Sequence, residues 1–157
     1  MVYQYIYADV LRCLEKIMPE FSRFKALKSV PVYTSLYGAE IDDALQNFCK
    51  KAHIPFQRSN GVPENLSKGD VLFIYGCTLG TGLVQLHKMI ENSGLMPGKD
   101  IGIICYDDFQ INEILLGGLS TMSTDYVQMG KEAAKMILWG ELGKIHCEFN
   151  LTRRNSF

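Results

Sequence analysis

The chain has 157 residues, enough for one compact core and short for two. Hydrophobic residues make up 47% and charged residues 21%, which excludes a disordered polymer, while a net charge of -1 with scattered Lys and Arg excludes a surface built on phosphate neutralisation. Five widely spaced cysteines, with no Cys-x-x-Cys pair, argue against a disulfide scaffold or a structural zinc site and fit the reduced thiols of a cytoplasmic protein.

Tyr3, Tyr7, Val10, Leu14, Ile17 and Phe21 recur every three or four residues, the stripe of an amphipathic helix that Pro19 disturbs near its end. The same helical spacing, with Gln4, Asp9 and Arg12 interleaved, leaves no place for a signal peptide, and no apolar run reaches membrane-spanning length. β-branched content predicts a strand over residues 30–34, and past Gly38 a helix carries Ile41, Ala44, Leu45 and Phe48 on one face. A short strand is expected over residues 53–57, where Pro55 confines it to an edge or a strand start. After a loop at Asn60, Gly61 and Pro63, the unbroken apolar run of residues 71–75 predicts a strand covered on both faces.

A glycine-rich turn over residues 76–82 leads to a helix marked by Leu83, Leu86 and Ile90 and stopped by Gly94. Residues 101–106 form the next buried strand, and residues 120–124 a shorter one beyond a loop. Asp125 reads as an N-cap, with Gln128 three residues on completing a capping box for a helix that holds Met129, Ala133, Met136 and Ile137 and ends at Gly140 and Gly143. Finally Ile145, Cys147, Phe149 and Leu151 alternate with His146, Glu148 and Asn150, as in a half-buried edge strand. Such alternation predicts an α/β fold, a mostly parallel sheet between two layers of helices.

Candidate site residues lie at the strand ends. A carboxylate at the C-terminal tip of a central parallel strand can accept two hydrogen bonds from neighbouring hydroxyls of a polyol, which makes Asp107 the first candidate for ligand contact. The plainer alternative is a turn-forming or helix-capping aspartate, and it suits Asp108 better. Phe109 is a candidate cover for the apolar face of a sugar ring, or else a core residue. Tyr33, Tyr37 and Tyr75 are aromatics with a polar tip, fitted to a pocket wall or to ordinary packing, and Tyr37 is carried forward.

Cys77 and Thr78 lie in the turn before a helix, where backbone N–H groups can receive a ligand; the alternative is a plain connection, because the turn is neither G-x-G-x-x-G nor a P-loop. His53, His87 and His146 share no metal-ligand spacing, and no catalytic triad assembles, so no metal, cofactor or catalytic residue is expected. Lys50-Lys51 and Arg153-Arg154 read as solvated surface charge.

The segments Gly102-Ile-Ile-Cys-Tyr-Asp-Asp108, Ser120-Thr-Met-Ser-Thr124, Met129-Gly-Lys-Glu-Ala-Ala134 and Arg154-Asn-Ser156 follow one another in a distinctive order. That order resembles the C-terminal end of sugar-sensing repressors of the LacI/GalR type, over about the last sixty residues. Upstream, Asp70 to Tyr75 resembles the family strand that ends in Asn-Asp, with Gly76 and Cys77 standing in place of that pair. The ligand-binding arginine usual after the first strand of this subdomain has no counterpart between Tyr33 and Gly38. Lys99-Asp-Ile-Gly-Ile-Ile104 and Ser123-Thr-Asp-Tyr126 look closest to hybrids that join such a sensor to a GntR-type winged helix.

The resemblance implies a periplasmic-binding-protein-like I subdomain, with residues 1–157 forming one effector-binding domain that lacks the DNA-binding domain and most of the first sensor subdomain. It implies a bacterial transcriptional regulator: cytoplasmic, homodimeric, not an enzyme, away from membranes, and in touch with DNA only through a part not in this chain. A small sugar-like effector would close two subdomains, with Asp107 orienting hydroxyls and Phe109 and Tyr37 as walls. The helix over residues 126–138 would then pack on the missing subdomain, and its apolar face is expected to be covered by self-association or by folding back. A solute-binding protein of a sugar transporter shares the architecture and is the nearest alternative. A Rossmann or flavodoxin-like nucleotide-binding enzyme is the alternative from another class, supported only by the turn at residues 76–82.

Overall fold

The structure, a computed structural model, describes residues 1–32, 35–76, 81–140 and 142–157. Six strands form the main sheet: β2 (Ala26–Pro31), β3 (Phe56–Arg58), β4 (Asp70–Tyr75), β5 (Gly102–Tyr106), β6 (Ser120–Thr124) and β8 (Phe149–Thr152). Their order is β3-β2-β4-β5-β6-β8, all parallel except β8, which runs antiparallel along β6. Helices α1 (Ile6–Lys16), α2 (Gly38–Ala52) and α3 (Thr81–Ser93) connect and cover them, and α4 (Tyr126–Trp139) leaves the end of β6.

Every residue of β4 is buried, because the strand is covered on both faces. Val71, Phe73 and Tyr75 pack with the stripes of α1 and α2, including Val10, Leu14, Ile41, Leu45 and Phe48. Leu72 and Ile74 point the other way, into a core shared with Leu83, Leu86 and Ile90 of α3. Helix layer, sheet and helix layer therefore follow from the period of two along one strand. Gly102 opens β5 under the rings of Phe157 and Phe24, and a Cβ there would come within 2.9 Å of Phe157. Only glycine lets those two rings, stacked at 5.4 Å, close the lower end of the core.

Several boundaries differ from the sequence expectation. The amphipathic stripe does not begin at Tyr3: Val2–Tyr3 is a short strand, β1, paired in parallel with β7 (Ile145–His146) in a separate ribbon. Asp9, buried in the first turn of α1, ties that ribbon down by accepting from the Tyr5 amide at 3.0 Å and pairing with His146 Nε2 at 2.8 Å. Pro19 starts a separate short 3-10 helix, Met18–Arg23, after α1 ends at Lys16. The first strand of the main sheet starts four residues early, at Ala26 rather than residue 30, since its pairing is set by β4 from Asp70 onward. Lys28 and Ser29 concealed it as polar residues, yet Lys28 pairs with Asp70 at 2.6 Å and Ser29 donates to Asp42.

His53 is not in a strand but closes α2 in the left-handed region at φ 55°, so β3 begins later, at Phe56. The C-terminal alternation holds in burial but spans two strands: β7 pairs with β1, and β8 with β6. Asp125 caps α4 as expected, accepting from the Gln128 amide at 2.8 Å. The reciprocal half of the capping box is missing, because Gln128 Oε1 accepts from the Glu148 amide at 3.0 Å and the Asp125 amide donates to Glu148 instead.

Helix α4 has no buried residue. Met129, Ala133 and Met136 are half-buried on the side that meets β1, but the outer side stays open: Ile137, Leu138 and Trp139 are 82%, 75% and 67% exposed, and Val127, about three turns before Leu138, is exposed too. Gly140 ends it at φ 65°, a conformation that costs glycine little.

Candidate functional site

Strands β2, β4, β5 and β6 all end on one edge of the sheet, which is where an open α/β fold presents loops and helix starts to a ligand. Three segments meet there: Tyr37 at the start of α2, Asp107 to Phe109 after β5, and Tyr126 at the start of α4.

Asp107 is held in a strained place. Its amide donates to Met122 at 2.9 Å, continuing the ladder between β5 and β6, and its φ of 71° then turns the chain sharply. The carboxylate accepts from the Tyr126 hydroxyl at 2.8 Å through Oδ1, and no described residue donates to Oδ2. Burial raises the Asp107 pKa above its ordinary value, against the opposing Tyr126 hydrogen bond. The Tyr126 hydroxyl is itself pushed up, by burial first and then by Asp107 and Tyr37.

Two buried polar atoms near Asp107, the Tyr106 hydroxyl and Asn112 Oδ1, have no hydrogen-bond partner among the described residues. Unsatisfied buried polar atoms are rare, and they concentrate where a ligand or water completes the bonding. Tyr106 packs its ring against Phe149 at 5.7 Å, and its hydroxyl pKa is pushed up by burial first and then by the nearby Asp107, Tyr126, Asp9 and Tyr37. Tyr37 and Phe109 are both exposed at this edge, Phe109 where the chain enters a short 3-10 turn, Gln110–Glu113.

Asp108 does not simply shape the turn. Arg154 grips it with both terminal nitrogens at 3.0 Å and also donates to the Leu119 carbonyl at 2.8 Å. With a side chain only 17% exposed, Arg154 is a clamp rather than solvated surface charge, whereas Arg153, 48% exposed, is a surface charge paired with Glu20. Ser156, two residues on, donates to the Ile103 carbonyl at 2.7 Å and accepts from the Ser120 amide at 2.8 Å, locking the chain end across β5 and β6. A cleft of about 380 Å³ beside this clamp is lined by Asp108, Ser123, Tyr126, Asn150 and Thr152, and Asp107 lies next to it without lining it.

A second cavity, of about 470 Å³, opens at the mouth of β2, β3 and β4 and is lined by Val32, Ser35, Ala39, Arg58, Asn60 and Tyr75 among others. Beneath it Asp42 accepts from Ser29, from the Tyr75 hydroxyl at 2.9 Å, and from Arg58 Nε at 2.6 Å. Tyr75 thus lines a pocket as anticipated, whereas Cys77, Thr78 and Tyr33 lie outside the described residues. Reasoning from sequence missed Tyr126, Tyr106, Arg58, Asp42 and Arg154. The available signals were a tyrosine directly after a predicted N-cap and an arginine immediately before the Ser59-Asn60-Gly61 turn. Among the described residues no group of three or more His, Cys, Asp or Glu could hold a metal ion, and no helix is long and apolar enough to cross a membrane.

No protein-family model and no curated protein sequence matches the chain. Solved structures do. The dimeric Lac repressor with an 11-residue C-terminal deletion superposes with a TM-score of 0.71 at 12% identity, over 99% of this chain and 62% of the repressor. A periplasmic binding protein/LacI transcriptional regulator from Alkaliphilus metalliredigens, complexed with D-xylulofuranose, gives 0.69 at 14%, over 99% and 64%. A transcription-regulator-like protein from Staphylococcus haemolyticus gives 0.72 at 9%, over 99% and 60%. The chain therefore spans a little over three fifths of the length of these proteins. The likeness to GntR-type hybrids gains no support from them. At these identities the likeness is one of architecture, and it establishes that the chain has the periplasmic-binding-protein-like fold of the Lac repressor and LacI-type regulators.

Proposed function

We propose that the chain is the effector-binding part of a bacterial transcriptional regulator that responds to a small sugar or sugar derivative. The observation that carries this reading is the Asp107 cluster: a partly buried carboxylate with one oxygen on Tyr126 and the other without a described donor, beside the orphaned Tyr106 hydroxyl. A carboxylate so held can accept from a ligand hydroxyl, the Tyr106 hydroxyl can donate to a ligand oxygen, and the exposed rings of Tyr37 and Phe109 can cover an apolar sugar face. In this reading the effector shifts the regulator between states of different DNA affinity by binding one of them more tightly. DNA contact is made by a part of the regulator outside these residues, the protein works in the cytoplasm as a homodimer, and it catalyses no reaction.

The test is a thermal-shift and calorimetric panel of pentoses, hexoses and their phosphates and acids against the wild-type chain, Tyr126→Phe and Asp107→Asn. At least one compound is expected to stabilise the wild type, with binding about tenfold or more weaker in both variants, the loss of one charge-assisted hydrogen bond. A panel with no saturable binder, or a binder indifferent to both substitutions, counts against the reading.

A further inference from the structure

We infer that the cavity at the mouth of β2, β3 and β4 receives an oxyanion, a carboxylate or phosphate carried by the effector, with Arg58 as its counter-cation. The inference deepens the effector-binding reading and rests on it for what the ligand does, while the anion chemistry rests on the cavity itself.

At about 470 Å³ the space suits a monosaccharide-sized ligand or the anionic end of a larger one. Among the described residues that line it, Arg58 is the one that carries a charge, and the others are apolar or neutral. The Arg58 side chain, 59% exposed, is already oriented: Asp42 engages Nε at 2.6 Å, so a ligand meets a pre-set donor rather than a free arm. Asp42 does not line the cavity, and its oxygens are taken by Ser29, Tyr75 and Arg58. It therefore positions the cation, while the cation is the charge a ligand would touch.

The neighbouring polar groups lean the same way. Ser35 Oγ accepts from the Tyr37 amide at 3.2 Å, which leaves its hydroxyl proton to donate, and Asn60 supplies an amide. Gly38 and Ala39 open α2 in the cavity wall, and no side chain caps that helix, so its first turn adds positive potential to a site already defined by Arg58. Glu40 of the same turn does not line the cavity. Among the described residues no Asp or Glu lines the cavity.

The experiment titrates the isotopically labelled chain with inorganic phosphate and, separately, with acetate, using sodium chloride at matched ionic strength as control, and follows the Ala39 amide and the Arg58 Nε–H by NMR. Saturable shifts are expected with at least one oxyanion and not with chloride. Binding should weaken about tenfold or more in Arg58→Met and survive in part in Arg58→Lys. Preference for phosphate assigns a phosphorylated effector; preference for acetate assigns a sugar acid. No saturable shift with either, or an unchanged shift in Arg58→Met with amide dispersion intact, meaning an adventitious ion only, overturns the inference. Asp107 lies outside this cavity, so Asp107→Asn should lose the sugar response and keep the oxyanion response; the effector reading and this one can thus fail separately.

Discussion

Asp107 combines two costs at one position, a left-handed backbone and a carboxylate drawn out of water. Costs of this kind persist where a ligand makes use of them. Because burial raises its pKa in the folded chain, the folded state holds the proton to higher pH than the unfolded state does, so its contribution is most favourable at low pH and declines as pH climbs through the raised value. Asp107→Asn removes that penalty, tolerates the left-handed turn and still accepts from Tyr126. The variant should melt above the wild type at neutral pH, with the difference shrinking as pH falls towards the ordinary aspartate range; thermal denaturation against pH reads it directly. At this scale the sequence disclosed the carboxylate at a strand tip but not its partners. Tyr126 lies 19 residues further on, and Arg154 lies 46 residues beyond Asp108, separations that no local pattern encodes. The same gap turned Arg154, an embedded clamp, into an apparent surface charge.

Among the elements, those with an unbroken apolar run or a long stripe were the legible ones: β4, β5, α2 and α3 stand where their residues predict. The misplaced ones are those whose limits depend on a partner strand. β2 begins at Ala26 because β4 extends to Asp70, and the half-buried Lys28 and buried Ser29 are accommodated because Asp70 and Asp42 receive them. A single alternating segment became β7 and β8 because two different strands, β1 and β6, offered edges. Arg154 shows what holds the last of these in place, since it follows β8 and joins the Asp108 turn to the approach of β6. Replacing it with Met strips Asp108 of its bidentate donor and leaves the Leu119 carbonyl short of one. Arg154→Met should therefore lower unfolding stability by about 1–3 kcal/mol in urea denaturation, and should also loosen the turn that presents Asp107.

For the molecule as a whole, three-layer architecture and strand direction were readable from alternation alone, and the resemblance in the last third of the chain pointed to the same fold that solved structures then matched. What the sequence could only suggest is the condition of α4. Val127, Gly130, Ala134, Ile137 and Leu138 lie three or four residues apart along one side of a helix with no buried residue, and an apolar strip of that kind in water favours association. The isolated chain is expected to self-associate in sedimentation velocity runs as its concentration rises, and the pair Ile137→Glu and Leu138→Glu to remain monomeric with unchanged circular dichroism. A wild-type chain that stays monomeric throughout would refute this.

Trp139 is the only tryptophan in the sequence, and it stands at the end of that helix next to Leu138, largely open to water. Its indole is a built-in optical gauge: any polypeptide that settles over this end of α4, whether a second copy or another protein, dries the ring and moves its emission to shorter wavelength. Docking at this helix can therefore be followed by the colour of one natural fluorophore, without dye or tag, while the sheet edge is titrated with sugars.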